Sequence, residues 1–136
     1  MVLSDSQIDR YARHIVLRDV GGAGQAKLLG SHVLLIGAGG IGCPAIQYLA
    51  AAGVGRITVV DDDTVSLSNL QRQVLYSETQ IGQLKVECAA DAVARLNPDV
   101  RFTGLQQRII AETGVNVLDG VDVVIDGCDN FTTRLK

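Results

Sequence analysis

The chain has no block of basic residues, no pair of cysteines at metal-ligand spacing and no uninterrupted apolar run longer than a strand. The first absence leaves little support for a nucleic-acid or membrane-surface role. Twelve Lys and Arg against fifteen Asp and Glu give a net charge of −3. The second leaves Cys43, Cys88 and Cys128 far apart. An odd, scattered set fits a reducing cytoplasm and small buried side chains better than disulfides or zinc. The apolar stretches are broken by Gly and too short to span a bilayer. Met1-Val2-Leu3-Ser4-Asp5-Ser6 lacks the charged-then-apolar layout of a signal peptide. Repeats, low-complexity segments and interdomain linkers are also missing. What remains is 136 residues, 47 % of them apolar, enough for one domain with its own core.

Apolar residues at Ile8, Tyr11, Ala12, Ile15 and Val16 predict a helix from Ser4 to Leu17, with Ser4 or Ser6 as its N-cap. Gly21-Gly22 interrupts the pattern, and a short helix is expected from Gln25 to Leu29. His32–Ile36 reads as a buried parallel strand, apolar on both faces. Gly40 to Ala52 is a helix whose alanines (Ala45, Ala50, Ala51, Ala52) allow close approach to a sheet. Arg56–Val60 is a second strand. Gln83 to Leu96 is an amphipathic helix stopped by Asn97-Pro98. Arg101–Leu105 is a third strand, Glu112 to Leu118 a short helix and Val121 to Ile125 a fourth strand. This alternation predicts an α/β, Rossmann-like, mostly parallel sheet with right-handed crossovers and helices on both faces. Such sheets commonly have about six strands. The chain therefore reads as the first half of something longer, cut after the fourth strand.

Gly37-Ala38-Gly39-Gly40-Ile41-Gly42 closes the first strand and opens a helix. Glycine tolerates positive φ and lets backbone N–H groups approach a phosphate, which the helix N-terminus then faces. Asp61 lies 19 residues beyond Gly42, close to the spacing of an acid that accepts ribose hydroxyls. It opens the acidic run Asp61-Asp62-Asp63. These features suit a nicotinamide dinucleotide as well as ATP. The segment Ser66-Leu67-Ser68-Asn69-Leu70-Gln71-Arg72-Gln73 separates the two. Its Asn69, Gln71, Arg72 and Gln73 form a polar cluster on the ligand-binding rim. Arg72 offers a planar fork to phosphate oxygens and Lys85 a point charge. Together they would stabilise charge developing on a phosphate chain. Taken singly, each also fits a solvated surface charge. Asp129 follows the fourth strand and can hold Mg²⁺, which keeps several waters and bridges to phosphates. Asp129 or Asn130 also fits a helix N-cap. A dinucleotide module would leave Arg72, Lys85 and Asp129 idle. A third reading is a fragment that binds nucleotide and turns nothing over.

Arg10-Tyr11-Ala12-Arg13, the turn Gly37 to Gly42, Ser66 to Gln73, Lys85 and Asp126 to Asn130 together resemble the ThiF/MoeB family of E1-like adenylating proteins. The resemblance covers essentially all 136 residues, as the N-terminal part of an ATP-binding adenylation domain, and Asn69-Leu70-Gln71-Arg72-Gln73 is its most specific portion. It implies adenylation of the C-terminal glycine carboxylate of a ubiquitin-like sulfur carrier, ThiS- or MoaD-like, at the expense of Mg-ATP. By position it implies nucleotide contacts at Gly37, Gly39, Gly40, Gly42, Asp61, Asp63, Ser68 and Asn130. Asn69, Gln71, Arg72 and Lys85 would line the phosphate path, and Asp129 would hold magnesium. Arg13 would reach the ATP of a neighbouring subunit in a homodimer, so Arg72, Lys85 and Arg13 are the implied catalytic residues. The family's paired C-x-x-C zinc ligands, sulfur-handling cysteine and carrier-binding surface are not among these residues. The expectation is a cytoplasmic protein whose 136 residues bind ATP without completing carrier activation.

Overall fold

The computed structural model describes residues 2–107 and 117–127. Four strands, β1 (His32–Ile36), β2 (Arg56–Val60), β3 (Arg101–Leu105) and β4 (Val123–Asp126), form one sheet in the order β3-β2-β1-β4. Every pairing is parallel, with His32 level with Arg56 and Arg56 level with Arg101. The strand order reverses at β1, between β2 and β4. In open parallel sheets that reversal leaves a crevice beyond the carboxyl ends of the strands, where ligands bind.

Alternate residues of β1 and β2 serve opposite faces. Val33, Leu35, Ile57 and Val59 pack against α4 (Gly42–Ala52) and α5 (Lys85–Leu96) through Cys43, Ile46, Ala50, Val86, Ala89 and Val93. The alanines let α4 lie close, as its composition predicts. On the other face Leu34 and Val60 are buried with Val117 and Val121 against them. The helix expected from Glu112 to Leu118 falls almost wholly outside the described residues.

β1, β2 and β3 keep their expected bounds, and the ends of other elements shift for identifiable reasons. The N-terminal segment is two helices, α1 (Asp5–Arg10) and α2 (Ala12–Ile15), not one. Ser4 caps α1 through a reciprocal box with Gln7. The break falls at Tyr11, whose side chain is 2 % exposed. Its hydroxyl accepts a 2.8 Å hydrogen bond from Asn97 Nδ2, and Asn97 also donates to the Ala50 carbonyl at 2.8 Å. A tertiary anchor at the end of α4 therefore overrides helix continuity. His14 and Gln25 bond at 2.8 Å, and Gln25 donates to the Ala52 carbonyl at 2.9 Å, fastening the same end. Gly21-Gly22 opens α3 (Gly21–Leu29) instead of preceding it. The strand expected from Val121 starts at Val123, because Asp122 is spent on a two-way tie to His32. Its N–H donates to the His32 carbonyl at 2.9 Å, and its carboxylate accepts from the His32 N–H at 2.8 Å.

Candidate functional site

At the end of β1 the chain turns on Gly37, which has φ of +97° and donates its N–H to the Val60 carbonyl at 2.9 Å. Only glycine suits that backbone. Gly42 has a different constraint: a Cβ there would collide with the Gly37 carbonyl. The turn is thus wound so tightly that its last glycine lies against its first. Helix α4 then starts at Gly42, two residues later than the pattern suggests.

Asp61, at the end of β2, faces this turn. One carboxylate oxygen accepts the Ala38 N–H at 2.8 Å and the other accepts the Asp63 N–H at 2.7 Å. The half-buried acid thereby braces the glycine turn and the exit of β2 together, and each oxygen keeps a second lone pair for a ligand hydroxyl. Beyond it, Asn69 Oδ1 accepts from the Ser66 N–H at 3.0 Å and the Ser66 hydroxyl at 2.9 Å. That local bond shapes a short 3-10 turn over Leu67–Asn69. The Arg72 guanidinium donates to the Ser68 carbonyl at 3.2 Å while its stem lies over Gly40. A Cβ on Gly40 would sit 3.7 Å from Arg72 Cδ, and one on Gly39 would sit 3.4 Å from Gln73 Nε2. The polar segment therefore closes directly on the glycine turn.

Two side chains here are buried although polar. Gln73 is 3 % exposed, and its Oε1 has no hydrogen-bond partner among the described residues. Lys85, the first residue of α5, has a side chain only 6 % exposed, with Nζ 3.9 Å from an Asp63 carboxylate oxygen that is itself open to solvent. The solvated-charge reading thus fails for Lys85, whereas Arg72 is exposed. An enclosed ammonium with one distant, solvated counter-ion is under-compensated. It is therefore available to a second anion.

The carboxyl end of β1 and β2 thus gathers Gly37, Gly39, Gly40, Gly42, Asp61, Asp63, Ser68, Asn69, Arg72 and Lys85. Gln71 lies in the same segment, exposed and without a hydrogen bond among the described residues. Arg13 does not join them. It is exposed on α2, which is fastened to the carboxyl end of α4, a full helix of roughly 16 Å from the turn. Cys128, Asp129 and Asn130 lie outside the described residues. Among those described, no group of three acidic, His or Cys side chains could hold a metal, and no helix is long and apolar enough to cross a membrane. Cys43 and Cys88 are free and buried, as expected of small core residues. Desolvation by burial pushes both thiols up. A second cleft, at the amino ends of the strands, is lined by Gln7, His32, Arg56, Asp99 and Arg101 among others.

The motif reading missed Tyr76 and the peptide of Ala38. Tyr76 is buried and its hydroxyl donates to the Ala38 carbonyl at 2.6 Å. Nothing in a local pattern announces a bond between residues 38 positions apart.

A family model described as the ThiF family matches residues 11–136. The SAMP-activating enzyme E1 of Haloferax volcanii is 52 % identical over 132 residues, which are 97 % of this chain and 49 % of that protein. The sulfur carrier protein ThiS adenylyltransferase of Escherichia coli is 46 % identical over 97 % of this chain and 53 % of its own length. The chain spans about half the length of the curated relatives it matches. Among solved structures, the E. coli tRNA N6-threonylcarbamoyladenosine dehydratase TcdA in complex with ATP superposes with a TM-score of 0.91 at 27 % identity. That match covers 98 % of this chain and 55 % of the other.

Proposed function

The chain belongs to the ThiF family, and from that premise we propose that residues 1–136 are the N-terminal part of an E1-like adenylation domain. The proposed reaction transfers AMP from Mg-ATP to the C-terminal glycine carboxylate of a ubiquitin-like sulfur carrier. The observation that carries the reading is the enclosed Lys85 ammonium, set at the rim where Asp61 braces the glycine turn. A nicotinamide dinucleotide offers that charge only a diphosphate bridge, whereas ATP brings a more highly charged triphosphate.

The donor set fits a nucleoside triphosphate. Asp61 has lone pairs left for ribose hydroxyls, the Lys85 ammonium has only a solvated counter-ion, and the orphaned Gln73 oxygen awaits a donor. In the proposed step, a carboxylate oxygen of the carrier attacks the α-phosphorus. The bond from that phosphorus to the bridging oxygen breaks, and its electron pair leaves with pyrophosphate. No general base is required, since the carboxylate is ionised at neutral pH. Arg72 and Lys85 offset the charge gathering on the phosphates, Asn69 and Gln71 flank their path, and alignment supplies much of the rest. Magnesium, when bound, neutralises phosphate charge while keeping most of its water shell. Asp129 is the carboxylate proposed to hold it, with Asn130 beside it. Arg13, remote from its own chain's site, is assigned to the site of a second subunit in a homodimer. Reduced, buried Cys43 and Cys88 support placing the protein in the cytoplasm.

Substitution separates these roles. Asp61→Ala removes the proposed ribose acceptor, so calorimetry should show weaker binding of both ATP and adenosine. Asp129→Ala should leave adenosine binding intact and remove the dependence of ATP affinity on magnesium. Unchanged ATP affinity in both variants would sink the assignment of the site.

A further inference from the structure

Ala38 has no exposed surface, and its two flanking peptide groups are held from opposite sides. Its N–H donates to Asp61, and its carbonyl accepts two bonds, from the Tyr76 hydroxyl at 2.6 Å and from the Cys43 thiol at 3.3 Å. Tyr76 lies three residues beyond the polar segment and is tied to its end, its N–H bonding to the Gln73 carbonyl at 3.3 Å. The phenol is therefore the direct fastening between that segment and the glycine turn. Burial raises both the phenol and the Cys43 thiol above ordinary values that already lie above neutral, so both remain protonated donors at neutral pH.

The peptide that follows Ala38 fixes the direction of the N–H groups after it. Rotation of that unit would re-aim the Gly39 N–H and free the turn that carries the N–H groups of Gly40, Ile41 and Gly42 to shift, while leaving the sheet intact. We propose that Tyr76 is a positioning residue for the nucleotide phosphates, its hydroxyl holding the Ala38 carbonyl so that the turn's N–H groups keep a single aim. The proposal rests on reading the turn as a phosphate site. A purely structural Tyr76 would act through its ring, which fills core space beside Cys43 and Val65. The two roles separate cleanly, because Tyr76→Phe keeps the ring and deletes only the donor.

In Tyr76→Phe, ATP affinity should fall about fivefold, the scale of one buried hydrogen bond, while adenosine affinity stays at the wild-type value. Amide hydrogen exchange at Gly39–Gly42 should quicken by a similar factor, with the amides of β2 unchanged. Cys43→Ala removes the weaker donor to the same carbonyl. It should move both readouts the same way by about twofold, and it serves if the Phe variant does not fold. Equal weakening of ATP and adenosine, or unaltered exchange at Gly39–Gly42, would overturn the proposal. Should wild type bind no nucleotide, the phosphate reading of the site fails, while the exchange measurement still decides whether Tyr76 sets the turn.

Discussion

Lys85→Met should give a chain that is at least as stable as wild type and binds ATP about 10- to 100-fold less tightly. The affinity loss is that of a charge-assisted contact in an enclosed site, worth about 1.5–3 kcal/mol. Stability should move the other way. Removing one member of a buried ion pair is costly when the other is stranded. Here the other member is Asp63, whose carboxylate is 73 % exposed and remains in water. A methionine fills much the same volume at the start of α5 without an ammonium to desolvate. Thermal unfolding and calorimetry on one preparation check both halves. A variant that loses stability and keeps its ATP affinity would make Lys85 a structural residue. Adenosine affinity should not change, since the ammonium acts on phosphates.

Gly42→Ala should be more severe. A Cβ at Gly42 would overlap the Gly37 carbonyl, so the turn must open or α4 must slide along the sheet. Either response breaks the close packing of Cys43 and Ile46, and about 2–4 kcal/mol of stability should be lost. Nucleotide binding should disappear even at temperatures where the chain stays folded. Gly55→Ala supplies the control, because its Cβ would run into the Leu29 carbonyl at the far edge of the sheet. It should destabilise comparably and leave the ATP affinity of the folded fraction near wild type. Urea unfolding with and without ATP distinguishes the two. ATP-dependent stabilisation is expected in Gly55→Ala and absent in Gly42→Ala. Stabilisation of both variants would detach the turn from the nucleotide.

The sheet was legible because its two central strands, β1 and β2, are buried on both faces, and because the exposed edge strand β3 still follows a helix stopped by Asn97-Pro98. His32–Ile36, Arg56–Val60 and Arg101–Leu105 are short β-rich runs, each set between turn or polar residues. Helix ends were less legible where a distant contact decided them. The break at Tyr11 depends on Asn97, and the late start of β4 depends on His32. Glycine spacing and the acid at the end of β2 pointed to the candidate site, and the structure brings the glycine turn and Asp61 together there. Burial of Lys85 left none, because a lysine at a helix start has the same pattern whether its stem lies in the core or in solvent. Tyr76 drew no reading from the sequence for the same reason. Its hydroxyl acquires meaning only when β1 and the polar segment meet.

The most direct test of the central claim is calorimetric titration of the chain with ATP in the presence of Mg²⁺, set beside the same titration with NAD⁺. ATP should bind at least about tenfold more tightly, because Arg72 and Lys85 act on a triphosphate. Equal or tighter binding of NAD⁺, or no binding of ATP, would contradict it.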